Sequence, residues 1–164
     1  MILVLALAAA TLPAASTLLK PGDPAPAFSL KDGEGKTHTL AGYKGQVVAL
    51  YFYPKDDTPG CTAQACNLRD NWARLKERGV VVLGVSFDGA ASHKAFAAKY
   101  NLPFPLLSDT GKSLASACGI GGTPYARRVT FLVGPDGRVL DVIDPVTPSD
   151  HAAQILAALD KAGR

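Results

Sequence analysis

The sequence predicts an α/β domain with a central mixed β-sheet flanked by helices. Three observations carry that expectation. Residues 47–53 and 80–87 are continuous runs of β-branched, aliphatic and aromatic residues, with a helical pattern between them. Gly134-Pro135-Asp136-Gly137 separates two further extended runs, and the C-terminal segment has apolar residues at helical spacing.

In chain order, Asp32-Gly33 and Glu34-Gly35 lie between extended candidates at 27–30 and 37–40, which predicts a small hairpin at the domain's edge. Residues 47–53 form the run expected of a strand buried on both faces. After a polar loop over 54–60, Ala65, Leu68, Trp72 and Leu75 recur at helical spacing, and Gly79 supplies a C-terminal stop. With the strand at 80–87 this makes one βαβ unit, whose strands are parallel and whose crossover is right-handed. A helix near 91–100 follows. The runs at 129–133 and 139–143 then flank a four-residue turn and pair antiparallel, so the sheet is mixed. Ala152, Ile155, Leu156 and Leu159 give the last helix one apolar face. A βαβ unit followed by a hairpin and a closing helix is the order of a thioredoxin-like fold.

At 164 residues and 17.0 kDa the chain has room for one such domain. With 48% hydrophobic and 19% charged residues, it lies far from the composition of a disordered chain. A net charge of +3 without any Lys/Arg stripe argues against nucleic acid as a partner. Ile2 to Leu12 is apolar but shorter than the roughly 20 residues that span a bilayer, so stable membrane insertion is not expected. Followed by Ala14-Ala15-Ser16, it reads as a signal peptide over residues 1–16, with a single domain over 17–164 and a periplasmic or otherwise exported product. No Lys or Arg precedes the run, which leaves open a cytoplasmic protein with an uncleaved or mis-set N-terminus.

Several motifs fail on inspection. Gly111-Lys112-Ser113 lacks the glycine five residues earlier that a phosphate loop needs, and Leu106 stands there. Gly119-Ile120-Gly121-Gly122 has Pro124 in place of the third glycine of a dinucleotide fingerprint. His38, His93 and His151 are scattered without metal spacing and are expected at the surface or in turns. Three cysteines are too few for a disulfide scaffold, and no Cys-x-x-Cys pair exists.

The stretch at 51–66, the end of the strand at 47–53, the loop and the helix start, carries the chemistry. Cys61 falls in the first turn of the expected helix, where unsatisfied N–H groups and the positive end of the dipole favour a thiolate. Thr58 is placed to present a hydroxyl beside it, and Pro54 to fix the chain leaving the strand. On local physics alone, a buried small thiol with Thr58 as a mere cap fits equally well.

Pro54-x-x-x-Thr58-x-x-Cys61 resembles the active-site signature of the peroxiredoxins, and the wider string resembles their bacterioferritin-comigratory-protein/PrxQ branch. The similarity runs from about Leu19 to the C-terminus and includes residues 106–109 and 128–133. The resemblance implies a thiol-dependent peroxidase acting on hydrogen peroxide and small organic hydroperoxides. Cys61 would be the peroxidatic nucleophile. Thr58 would bond the peroxide, and Arg128 would hold the thiolate. Arg127 competes for that last role, but neighbours on a strand face opposite ways. Cys66 would be the resolving cysteine, forming an intramolecular disulfide that a thioredoxin-like or glutaredoxin-like donor reduces. The resemblance further implies a monomer that needs no metal or organic cofactor. Cys118, after the short apolar stretch 114–117, reads as a packed thiol. Two other readings remain: a thiol–disulfide exchange protein, and a non-enzymatic domain with a structural Cys61–Cys66 bond.

Overall fold

The computed structural model describes residues 17–164, so the apolar run at 2–12 and the expected cleavage region at 14–16 lie outside the described residues. A two-stranded antiparallel hairpin comes first, β1 (Ser29–Lys31) with β2 (Thr37–Thr39), where Leu30 faces His38. The main sheet has five strands: β3 (Val47–Phe52), β4 (Val80–Ser86), β5 (Leu106–Ser108), β6 (Val129–Val133) and β7 (Val139–Ile143), in the spatial order β5-β4-β3-β6-β7. β3 pairs parallel with β4 and antiparallel with β6; β5 is parallel to β4, and β7 antiparallel to β6. The sheet is therefore mixed, with β3 at its centre and all six of its residues buried.

Alternation along β3 divides the core in two. Val47, Ala49 and Tyr51 pack with residues of α1 (Pro59–Asp70), α2 (Trp72–Glu77), α3 (Ala90–Tyr100) and α5 (His151–Lys161). Val48, Leu50 and Phe52 pack with α4 (Ser113–Ala117), Leu83, Val85 and, at the margin, Leu30 and Leu40 of the hairpin region. In α5, Ile155 and Leu159 are almost fully buried, and truncating either to alanine costs about 2–5 kcal/mol. Among the described residues no helix is long and apolar enough to cross a membrane.

Two expectations need correction, and one strand is additional to those expected. The helix expected to run on through Leu75 is broken: Asn71 at φ −103, ψ 13 separates α1 from α2, and its side chain donates back to the Asn67 carbonyl at 2.9 Å. Asparagine's competition with the backbone ladder accounts for the stop. β5 was not anticipated, because three residues between Pro105 and Asp109 are too few to show a period. The three histidines are not surface or turn residues: His38, His93 and His151 are all buried. Each ring is accommodated by polar partners far away in sequence or across a hairpin, which single-residue polarity does not reveal.

Gly84 links the fold to the site. It lies opposite Tyr51 on the neighbouring strand, and a Cβ there would stand 2.8 Å from the tyrosine oxygen. Only glycine leaves room for a ring that also packs edge-on against the buried His151.

Candidate active site

The loop leaving β3 is tied down by two adjacent aspartates. Asp56 is buried, and its carboxylate accepts from Tyr53 Oη (2.6 Å), Ser92 Oγ (2.7 Å) and His93 Nδ1 (2.8 Å). Its own N–H donates to Asp88 (2.9 Å). Asp57 adopts a left-handed φ of 55°, and its carboxylate takes hydrogen bonds from Lys99 (2.7 Å) and Tyr100 (2.9 Å). The Lys99 bond, then the Tyr100 bond, hold that exposed carboxyl below its usual range. Residues 54–58 are thus pinned to α3 immediately before α1 begins.

Thr58 is the N-cap residue of α1, but its side chain makes no capping bond; its hydroxyl donates to the Lys55 carbonyl at 2.8 Å. That leaves Oγ1 with lone pairs to offer a ligand. Pro59 opens the helix, so the first helical N–H groups, those of Gly60 and Cys61, have no intrahelical acceptor. Cys61 follows in that first turn with only 2% of its surface exposed.

Arg128, just before β6, donates from Nη2 to Cys61 Sγ at 3.4 Å, and its Nη1 donates to Gln64 Oε1. Arg127 turns the other way and pairs with Asp144. Of the two arginines, then, Arg128 faces the sulfur. Gly60 makes space for it, since a Cβ there would meet Arg128 Nη2 at 3.2 Å. The arrangement sets a cation and a helix N-terminus beside one sulfur, and so provides donors for charge developing next to it.

Cys66 lies further along α1, half-buried, and all three cysteines are free thiols. The Arg69 guanidinium, held by Asp70 (2.9 Å) and the Tyr100 carbonyl (2.7 Å), faces it; Asp70 first, with the Cys66 sulfur adding, holds that guanidinium above its usual pKa. Cys118 is fully buried, and desolvation first, then the nearby Asp109, pushes its thiol up to about 12. It is the packed thiol the sequence suggested.

Sequence reasoning missed the residues behind Arg128. Gln64 Nε2 lies 3.1 Å from His151 Nδ1, and His151 Nε2 lies 2.9 Å from Thr130 Oγ1. Gln64 stands one helical turn after Cys61 and was open to discovery by that spacing. His151 is 87 residues from Gln64, and no local signal marks it. An apolar cavity of about 240 Å³ lined by Leu40, Tyr43, Val133 and Pro135 sits at the start of β3, whereas Cys61 follows its end.

Residues 21–142 match the AhpC/TSA family. A Coxiella burnetii protein named peroxiredoxin bcp is 43% identical over 146 residues, covering 84% of this chain and 97% of that one. The chloroplastic peroxiredoxin Q of Populus jackii is 52% identical over 142 residues, covering 84% of this chain and 67% of that one. Among solved structures, the Xanthomonas campestris bacterioferritin comigratory protein, described for its alkyl peroxide reduction activity, superposes with a TM-score of 0.77 at 33% identity, covering 84% of this chain and 92% of that one. A thioredoxin-like sheet, a lone arginine on a helix-start cysteine and relatives of this kind agree: the chain belongs to the AhpC/TSA family, in its bacterioferritin-comigratory-protein/PrxQ branch of peroxiredoxins, and is a thiol-dependent peroxidase.

Proposed function

We propose that Cys61 is the peroxidatic nucleophile for hydrogen peroxide and small organic hydroperoxides, and that Cys66 resolves it. The observation that carries this reading is the Arg128 guanidinium 3.4 Å from Cys61 Sγ at the start of α1. The thiolate attacks the terminal peroxide oxygen: an S–O bond forms, the O–O bond breaks, and the leaving oxygen takes up a proton to depart as water or an alcohol. The Thr58 hydroxyl, its proton committed to Lys55, accepts from the peroxide O–H, while Arg128 and the free N–H groups of α1 donate to the charge moving onto oxygen. Pro54 sets the direction in which the loop leaves β3. The Cys66 thiol then attacks the Cys61 sulfenic acid, expelling water and leaving an intramolecular disulfide. A thioredoxin-like or glutaredoxin-like dithiol reduces that bond, and the working unit is a monomer. The apolar run at 2–12 supports export, in which case the donor must share the same compartment.

The test is the intact mass of reduced protein after one equivalent of hydrogen peroxide, with alkylation and peptide mapping. A loss of two hydrogens, mapped to Cys61 and Cys66 with Cys118 still reduced, is the expected result. Cys61→Ser is expected to abolish peroxide consumption, and retention of wild-type turnover in that variant overturns the assignment.

A further inference from the structure

Behind Arg128 runs a hydrogen-bonded chain whose direction is fixed by chemistry alone. A guanidinium can only donate, so the Gln64 atom facing Arg128 Nη1 is the oxygen, as found. The other end of that amide is then an NH₂ group, and it meets His151 Nδ1 at 3.1 Å. An NH₂ group can only donate, so Nδ1 carries a lone pair and the ring proton sits on Nε2. Nε2–H in turn donates to Thr130 Oγ1 at 2.9 Å. Gln64, His151 and Thr130 are each fully buried, so no water competes for these bonds. Tyr51 presses its ring against the histidine, with centroids 5.6 Å apart and planes at 73°, and Thr130 lies directly opposite Tyr51 in the sheet. The chain therefore joins α1, the first residue of α5 and two strands to one guanidinium.

We propose that His151 is a positioning residue for the peroxide reaction: locked as a neutral ring in one tautomer, it orients Gln64, and through Gln64 it holds Arg128 on the Cys61 sulfur. This rests on the assignment of Cys61 as the peroxidatic nucleophile. Without His151 the Gln64 amide is free to rotate, and if it turns its NH₂ toward Arg128 two donors face each other. The guanidinium then loses the contact that sets its angle. A buried histidine that served packing alone would need neither this tautomer nor partners on both nitrogens. Burial, and secondarily the charge of Arg128, keeps the ring unprotonated, down to about pH 3, so the chain has one direction throughout the neutral range.

The experiment compares second-order rates of Cys61 with hydrogen peroxide and with iodoacetamide in wild type, His151→Leu, His151→Gln and Thr130→Val. Both reagents need the sulfur, but only the peroxide needs an oriented guanidinium. His151→Leu is expected to lose about 10- to 100-fold in peroxide rate with the iodoacetamide rate changed less than about threefold, as for a misplaced catalytic group. His151→Gln, which again offers an acceptor and a donor, is expected to recover most of that loss. Thr130→Val cuts the far end with little change of shape and is expected to lose several-fold, which keeps the test available if His151→Leu does not fold. A wild-type peroxide rate in both His151→Leu and Thr130→Val, or peroxide and iodoacetamide rates that move together, overturns the inference. A wild-type protein whose Cys61 does not react with peroxide overturns the underlying assignment instead, and the two failures are told apart by that control.

Discussion

Acid should destabilise the reduced protein through His151 in a way that a glutamine at the same place abolishes. In the unfolded chain this histidine titrates near 6.5; in the fold, burial first and the Arg128 charge second push it down to about 3. Between those values the unfolded chain binds a proton that the native state refuses. Stability therefore falls as the pH drops through 6.5 and stops falling on this account only below about 3. At about 1.4 kcal/mol per unit of separation, the loss at pH 5 is about 2 kcal/mol, approaching about 5 kcal/mol at the acid limit. His151→Gln has no such proton to refuse. Urea melts of the reduced wild type and His151→Gln at pH 7.5 and pH 5 are the assay. Carboxylates such as Asp57, shared by both proteins, cancel in the comparison. The wild type is expected to lose about 2 kcal/mol more than the variant, or about 1 M in midpoint at an ordinary denaturant slope. Equal losses in the two proteins would mean that the folded ring accepts a proton at no cost, and would refute the neutral, one-way hydrogen-bond chain.

Other perturbations separate the parts of the site. Arg128→Lys keeps a charge but cannot serve Cys61 and Gln64 at once, so stopped-flow peroxide rates are expected to drop about 100-fold with little change in melting temperature. Gly60→Ala puts a methyl 3.2 Å from Arg128 Nη2 and is expected to slow the same reaction about tenfold while leaving urea stability within about 0.5 kcal/mol. Asp56→Ala removes the common acceptor of Tyr53, Ser92 and His93, and equilibrium unfolding is expected to show a loss of about 3 kcal/mol, since buried donors are left unpaired.

The sequence made the frame legible wherever the physics is local. Residues 47–53 announce a central strand because a strand covered on both faces admits no polar position, and β3 is buried at every residue. The place of Cys61 and Thr58 at a helix start was readable because a cysteine after a proline-bearing loop and before an amphipathic stretch falls there, as it does in α1; the roles expected of them came from the resemblance to the peroxiredoxins. Strand alternation says only that one of Arg127 and Arg128 can face the site; the choice of Arg128 came from the resemblance to the peroxiredoxins and from its place before the apolar run. What stayed hidden is long-range. His93 reaches an aspartate 37 residues away, and His151 a glutamine 87 residues away. A lone histidine carries no mark of the partner that will satisfy it. The break at Asn71 was missed for the opposite reason, because apolar spacing continues across it and only the asparagine side chain interrupts the ladder.

In the proposed cycle two sulfurs on one helix must meet. Five residues of ideal helix hold their Cα atoms about 9 Å apart, beyond the roughly 7 Å that a disulfide spans. One of them has to leave, and the ties along α1 decide which. Gln64 is bound to Arg128 and His151; Asn67 donates to the Ser149 carbonyl and accepts from the Ala152 N–H, each at 2.8 Å; Leu68 is fully buried, and Arg69 holds the Tyr100 carbonyl. Cys66 sits inside this clamped stretch. The first turn is held chiefly through Cys61 itself, by its burial and by the Arg128 contact. Oxidation to a neutral sulfenic acid weakens that contact, so the reaction loosens the segment that must move, and the hinge falls between Ala63 and Gln64. Hydrogen exchange on the disulfide form checks this residue by residue. Amides 62–67, whose helical acceptors lie at 58–63, are expected to lose protection. Amides from Leu68 to Asn71, whose acceptors start at Gln64, are expected to keep it. Loss of protection through Asn71 would mean that the clamp on Gln64 and Asn67 opens as well, and that Cys66 rather than Cys61 is the travelling partner.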